Sequence, residues 1–184
     1  MGTIPTFPTI TAGTELTAAH LASMKAVADF WALTPRGYAY QDTLATATTA
    51  VSLVMPLQAE IYDIVQSGDS PMHDNSTNNS RVVARTAGKY LIAGQVTFTN
   101  NATGVRQAFV RMNAAGASGG GTQLTLANAP ALSAVPTSVP ISPIIVPMAA
   151  GDYVEIFGFQ NSGGNLATTP GQGLTFLSVT LDAS

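Results

Sequence analysis

Apolar and polar positions follow two rhythms along this 184-residue chain, and the change between them falls near residue 38. Between residues 17 and 33 the steps are three and four: Leu21, Met24, Ala28 and Trp31 make one apolar helical face. Thr17 is a good N-cap, and Leu16 is placed to pack on Leu21 as a hydrophobic staple. Pro35 and Gly37 end the pattern. A helix this short is marginal alone in water, so its apolar face needs a surface to dock on. The residues before it, 1–13, hold Pro5 and Pro8 among threonines and read as an extended arm. Its apolar residues Ile4, Phe7 and Ile10 also need covering.

From Tyr38 onward the period is two. Strands are expected at 49–57, 60–65, 80–86, 88–100, 104–114, 122–128, 152–161 and 173–183. In GKYLIAGQVTFTN (88–100), Tyr90, Ile92, Gly94, Val96 and Phe98 share one face. In GVRQAFVRMNA (104–114), Val105, Gln107, Phe109 and Arg111 oppose Ala108, Val110 and Met112. The stretch 135–148 has prolines at 136, 140, 143 and 147, which confine it to a sheet edge or an extended strap. About nine short strands with turn signals at intervals of roughly 8–12 residues predict an all-β sandwich.

Composition narrows the function classes. Hydrophobic residues make up 46% of the chain, ample for a core, and charged residues only 9%. Thr, Ser, Asn and Gln must therefore supply solubility. Net charge is −3 and the seven basic residues are scattered. No basic stripe exists to displace phosphate counterions, which argues against a nucleic-acid partner and against an anionic membrane surface. With no cysteine, disulfides and thiolate metal sites are excluded. No apolar run reaches the roughly 20 residues of a membrane span, and the N-terminus does not read as a signal peptide.

Candidate chemistry is sparse. Asp63, Asp69, His73 and Asp74 fall in or beside a polar loop, 62–79, and could ligate a divalent cation. Their spacing is irregular, whereas calcium loops alternate, so turn-forming aspartates and a packed histidine are the plainer reading. Gly116-Ala117-Ser118-Gly119-Gly120 matches a nucleophile-elbow motif but lacks the following helix. The Gly119–Gly121 run extends to no phosphate-binding fingerprint. Arg81, Arg85, Arg106 and Arg111 lie in expected strands and either face solvent or pair with Asp63, Asp152 or Glu155. No catalytic residue, cofactor or metal ligand is assigned.

Three segments carry a resemblance: TAGKYLIAGQVTF (86–98), RMNAAG (111–116), and MAAGDYVEIFGFQNSG (148–163) with the terminal LTFLSVTLDA (174–183). Together they resemble the jelly-roll modules of the complement globular-head and tumour-necrosis-factor superfamily. More narrowly, the arm, helix and 62–82 segment make the chain similar to bacteriophage virion proteins that carry such a module. The resemblance implies a homotrimer packed around the last strand and the 152–161 strand, with Tyr153, Phe157, Phe159 and Phe176 at the interface.

It also implies an anchor of residues 1–37 on a trimerisation domain of residues 38–184. The expected protein is a non-enzymatic capsid decoration protein or head fibre on the virion exterior. Ile4, Phe7, Ile10, Leu21, Met24 and Trp31 would attach it to the major capsid protein or to tail proteins. The alternatives are a minor tail or tail-fibre protein touching a host surface receptor and, from another class, a secreted trimeric binding module.

Overall fold

A computed structural model describes residues 4–13 and 15–182. The first three residues of the expected arm, Ala183 at the end of the expected last strand, and Ser184 lie outside the described residues.

The helix α1 runs Ala18–Ala32. Thr17 caps it reciprocally: its hydroxyl accepts from His20 N at 3.3 Å and its own N–H donates to His20 Nδ1 at 3.2 Å. The expected face is displaced. Val27 and Phe30 are the residues that bury, whereas Leu21, Met24 and Trp31 stay exposed. Leu16 is exposed as well, so no staple seals the entry. Val27 and Phe30 obey the same three-residue step, and Gln66 fixes the choice by donating to the carbonyls of Phe30 (3.3 Å) and Leu33 (2.6 Å).

The strands follow as β1 Arg36–Tyr40, β2 Thr46–Ala47, β3 Leu53–Val54, β4 Ala59–Ile64 and β5 Arg81–Val83. Then come β6 Gly88–Phe98, β7 Val105–Met112, β8 Thr122–Pro130, β9 Thr137–Pro140 and β10 Ile144–Met148. The last three are β11 Tyr153–Gln160, β12 Leu166–Ala167 and β13 Phe176–Asp182. One sheet has the order β10-β6-β13-β1-β4, with β9 also on β6; the other is β3-β11-β7-β8, with β5 also on β11. All the pairings are antiparallel. The architecture is the β-sandwich that the pattern predicts, in the jelly-roll form that the resemblance implies.

Two differences from the sequence reading have local causes. The sheet starts at Arg36, two residues before the expected domain boundary, because Gly37 lies inside β1 instead of stopping a helix. A Cβ there would sit 3.3 Å from Val82 Cγ1, so the strand needs glycine for close packing and not for a turn. The proline-rich stretch forms two strands, β9 and β10, both on the outer edge of β6. That is the edge position the missing N–H groups require.

The inner faces meet in one core. Ile92, Val96, Leu177 and Val179 come from the first sheet, and Ala108, Val110, Val154 and Ile156 from the second. At Gly158 the sheets approach closely. A Cβ at this position would lie 2.9 Å from Phe98 Cζ and 3.1 Å from Val96 Cγ1. Gly158→Ala is expected to cost about 1–3 kcal/mol by overpacking. Urea denaturation followed by circular dichroism measures it, and an unchanged midpoint would show that the sheets can separate there without strain.

Candidate assembly face

Alternation in the first sheet sends Gly37, Ala39, Ile92, Leu177 and Val179 into the core, so their neighbours point outward. Strand register arranges these outward residues in rows. One row is Ile145, Leu91, Thr180, Arg36 and Ile64. The next is Ala93, Ser178, Tyr38 and Tyr62, and the third is Pro140, Gln95, Phe176, Tyr40 and Ala59. The second and third rows contain no charged residue. Arg36 is the sole charge in the first, and Lys89 and Asp182 pair beyond it at the sheet's end.

Aromatic rings occupy the middle of this face. Tyr38 stacks on Phe176 with centroids 4.9 Å apart and planes 12° from parallel. Tyr62 leans against Tyr38 at 5.9 Å, and the Arg36 guanidinium lies 5.8 Å from the Tyr62 ring centre. The Tyr38 hydroxyl donates to the Gln172 carbonyl at 2.5 Å. Burial, with Tyr62 beside it, pushes that hydroxyl's pKa up to about 12, so it stays neutral at any physiological pH. Around the rings Leu91 and Ile145 are 42% and 55% exposed. The middle of the face is therefore aromatic, uncharged and half-exposed, with exposed apolar side chains beside it.

The four residues expected at the interface do not come together. Phe176 belongs to this face. Tyr153, Phe157 and Phe159 point outward from β11, on the opposite side of the sandwich. Phe157 is fully buried within the single chain, stacked on Phe109 at 5.2 Å and 5° and flanked by Ala114, Val54 and Phe159. Tyr153 lies under the Arg81 guanidinium, 4.3 Å from its ring centre, and its hydroxyl accepts from Ala115 N at 3.0 Å. Tyr38, Tyr40 and Tyr62 were missed as members of the face. The signal was present in RGYAY, whose tyrosines alternate with Gly37 and Ala39.

The loop between β7 and β8 covers the outer side of β11. Gly116 N donates to the enclosed Glu155 carboxylate at 3.0 Å, and Arg111 Nε donates to the Gly120 carbonyl at 2.6 Å. This accounts for the glycine run: a Cβ on Gly121, whose φ is +57°, would lie 2.0 Å from the Met112 carbonyl oxygen. Ser118 is an exposed turn residue in this loop, with a strand following it and no helix.

The arginines separate by partner. Arg81 pairs with Glu155 at 3.3 Å, Arg85 donates to the Pro71 carbonyl, and Arg111 to the carbonyls of Gly120 and Gly121. Arg106 is fully buried and donates to the carbonyls of Asn101, Thr103 and Val105. Burial pulls its pKa below the usual arginine value.

The loop 62–79 uses its acids for structure. Asp63 accepts from the N–H groups of Met72 (3.1 Å) and His73 (2.9 Å). Asp74 accepts from Ser76 N, Ser76 Oγ and Thr77 N. Those bonds hold its carboxyl at about 2, well below the usual value. Among the described residues no group of three or more His, Asp or Glu side chains is placed to hold a metal ion.

Of the expected attachment residues, Phe7, Ile10, Leu21, Met24 and Trp31 are exposed in the single chain. Ile4 is exposed too, although its Cδ1 would lie 3.5 Å from a Cβ placed on Gly88, where β6 begins.

Neither a family model nor a curated relative matches the chain. Solved structures do. Eiger TNF from S. frugiperda superposes with a TM-score of 0.61 at 14% identity, covering 82% of this chain and 94% of its own. Murine APRIL at pH 8.0 gives 0.58 at 14% identity, covering 80% and 98%. The globular domain of zebrafish complement 1qA gives 0.51 at 10% identity, covering 80% and 96%. Identity this low establishes the shared jelly-roll fold and nothing about activity.

Proposed function

We propose that the chain is a non-catalytic binding module that works as a homotrimer, the six-stranded sheet forming the contact between copies. One observation carries this reading: the outward rows through Tyr38, Phe176 and Ser178 are aromatic, uncharged and half-exposed, with exposed Leu91 and Ile145 beside them. Association gains scale with the apolar area removed from water, and an uncharged centre avoids the desolvation penalty of buried ions. The jelly-roll resemblance supplies the number three. Sedimentation equilibrium on the purified chain is expected to give three times the chain mass at micromolar concentration. A monomer at that concentration would sink the proposal.

A second reading, a virion decoration protein on the capsid exterior or a minor tail protein, is favoured by the N-terminal region. There Phe7, Ile10, Leu21, Met24 and Trp31 form apolar surface that the module leaves uncovered. A capsid or tail protein would cover it and hold the trimer on a particle. With Leu21, Met24 and Trp31 together changed to Gln, co-sedimentation with intact virus particles should fall at least tenfold while the trimer mass is kept. Wild-type co-sedimentation of that variant would remove the anchoring role. The secreted module instead predicts free trimer with no particle bound.

A further inference from the structure

The His73 ring is fully enclosed, and each of its nitrogens meets an oxygen. Nδ1 lies 2.8 Å from Glu60 Oε1, and Nε2 lies 3.0 Å from the Asn79 carbonyl oxygen. A carbonyl only accepts hydrogen bonds, and so does an ionised carboxylate. A neutral imidazole has one N–H and one lone pair, so it satisfies one of these oxygens and opposes the other. The Asn79 oxygen also accepts from Leu57 N at 3.0 Å, so it cannot turn away without losing a second bond.

We propose that His73 is held as an imidazolium paired with Glu60, and that this single proton latches the 70–80 segment against β4. The surrounding charges favour it. From β4, Asp63 sits against the backbone of Met72 and His73. From the same loop, Asp74 is ionised, and a His73 cation contributes to holding its proton off. From β5 and the residues after it come Arg81 and Arg85, the first engaged by Glu155 and Tyr153 and the second by the Pro71 carbonyl. From β11 comes Tyr153, which lines the adjoining cleft. Glu60 touches the ring, Asp63 and Asp74 line the same cleft, and both nearby guanidinium groups are committed elsewhere.

The latch forms the wall of a cleft of about 600 Å³ bounded by Glu60, Asp63, Ser70, His73, Asp74 and Arg85. Without the proton, a carboxylate oxygen faces a bare Nδ1 in an enclosed space. The segment then loosens and the cleft widens.

Two measurements on the full chain test this. The first is the ring-nitrogen NMR spectrum of a His20→Gln variant, in which His73 is the only histidine and Gln preserves the capping box. At pH 7.5 both ring nitrogens are expected to carry hydrogen; one bare nitrogen would overturn the proposal. The second compares amide hydrogen exchange of residues 70–80 between wild type and Glu60→Ala at pH 7.5. Exchange there should be at least tenfold faster in the variant while the amides of β6 and β13 stay protected. Unchanged exchange would overturn the latch, and the NMR result decides alone if Glu60→Ala does not fold.

Discussion

Ser178→Glu is expected to yield a folded monomer. Ser178 lies in the middle row of the six-stranded sheet, paired with Ala93 on one side and Tyr38 on the other. It points away from the core, between the buried Leu177 and Val179. A carboxylate there reaches water in the single chain, so the unfolding midpoint should shift by no more than the ~0.5 kcal/mol typical of surface changes. In the trimer three such carboxylates would be drawn out of water with no cation across from them. Arg36 already lies beside Tyr62. Burying an unpaired charge costs several kcal/mol, enough to abolish association at micromolar concentration. Sedimentation equilibrium reads the outcome. Leu126→Glu, on the exposed outer side of the other sheet, is the control and should stay trimeric. A trimeric Ser178→Glu protein would move the contact surface elsewhere.

Glu155→Ala carries the largest expected loss of stability. The carboxylate is fully enclosed, accepting from Ser80 Oγ at 2.7 Å, Arg81 Nε at 3.3 Å and Gly116 N at 3.0 Å. It thereby joins β11, the start of β5 and the loop between β7 and β8. Removing it leaves three donors without an acceptor and a partly enclosed guanidinium without a counter-charge. Breaking a buried pair from one side costs about 3–5 kcal/mol. The lower end applies here, because Arg81 keeps some exposure to water and its stacking on Tyr153. Urea denaturation monitored by circular dichroism would show it. A loss under about 1 kcal/mol would mean that the loop is held by its glycine turns alone.

How much of this was legible in the chain depends on whether a residue's environment is local. The strand β6 was legible to the residue: Tyr90, Ile92, Gly94, Val96 and Phe98 all face the core, as their alternation requires. The edge placement of β9 and β10 was legible because proline lacks a donor wherever it sits. The N-terminus of α1 was legible through Thr17, although His20 closing the capping box was not foreseen.

The helix face was not legible. Leu21, Met24 and Trp31 obey the same spacing rule as Val27 and Phe30, and the two stripes lie about a quarter-turn apart at roughly 100° per residue. Periodicity cannot rank two apolar stripes. The side chain of Gln66, thirty-three residues beyond Leu33, selects one of them. The expected interface residues lie on two sides of the sandwich for a related reason. Strand alternation says that Phe157 and Phe176 have a side, and it cannot say which side a folded neighbour already covers. The loop from Asn113 to Gly121 covers one, whereas the rings of the other stay half-exposed.

By itself, then, the order of residues determined the class of fold, the strand periods, the edge prolines and the absence of clustered charge. Each of these follows from the backbone geometry or solvation of a residue and its near neighbours. Only the tertiary structure decided which outward face remains bare, which carboxylates are committed to backbone N–H groups, and that His73 lies between two acceptors. Those facts arise from contacts between positions far apart in the chain, and no local rule brings Glu60, His73 and Asn79, or Tyr38 and Phe176, within reach of one another.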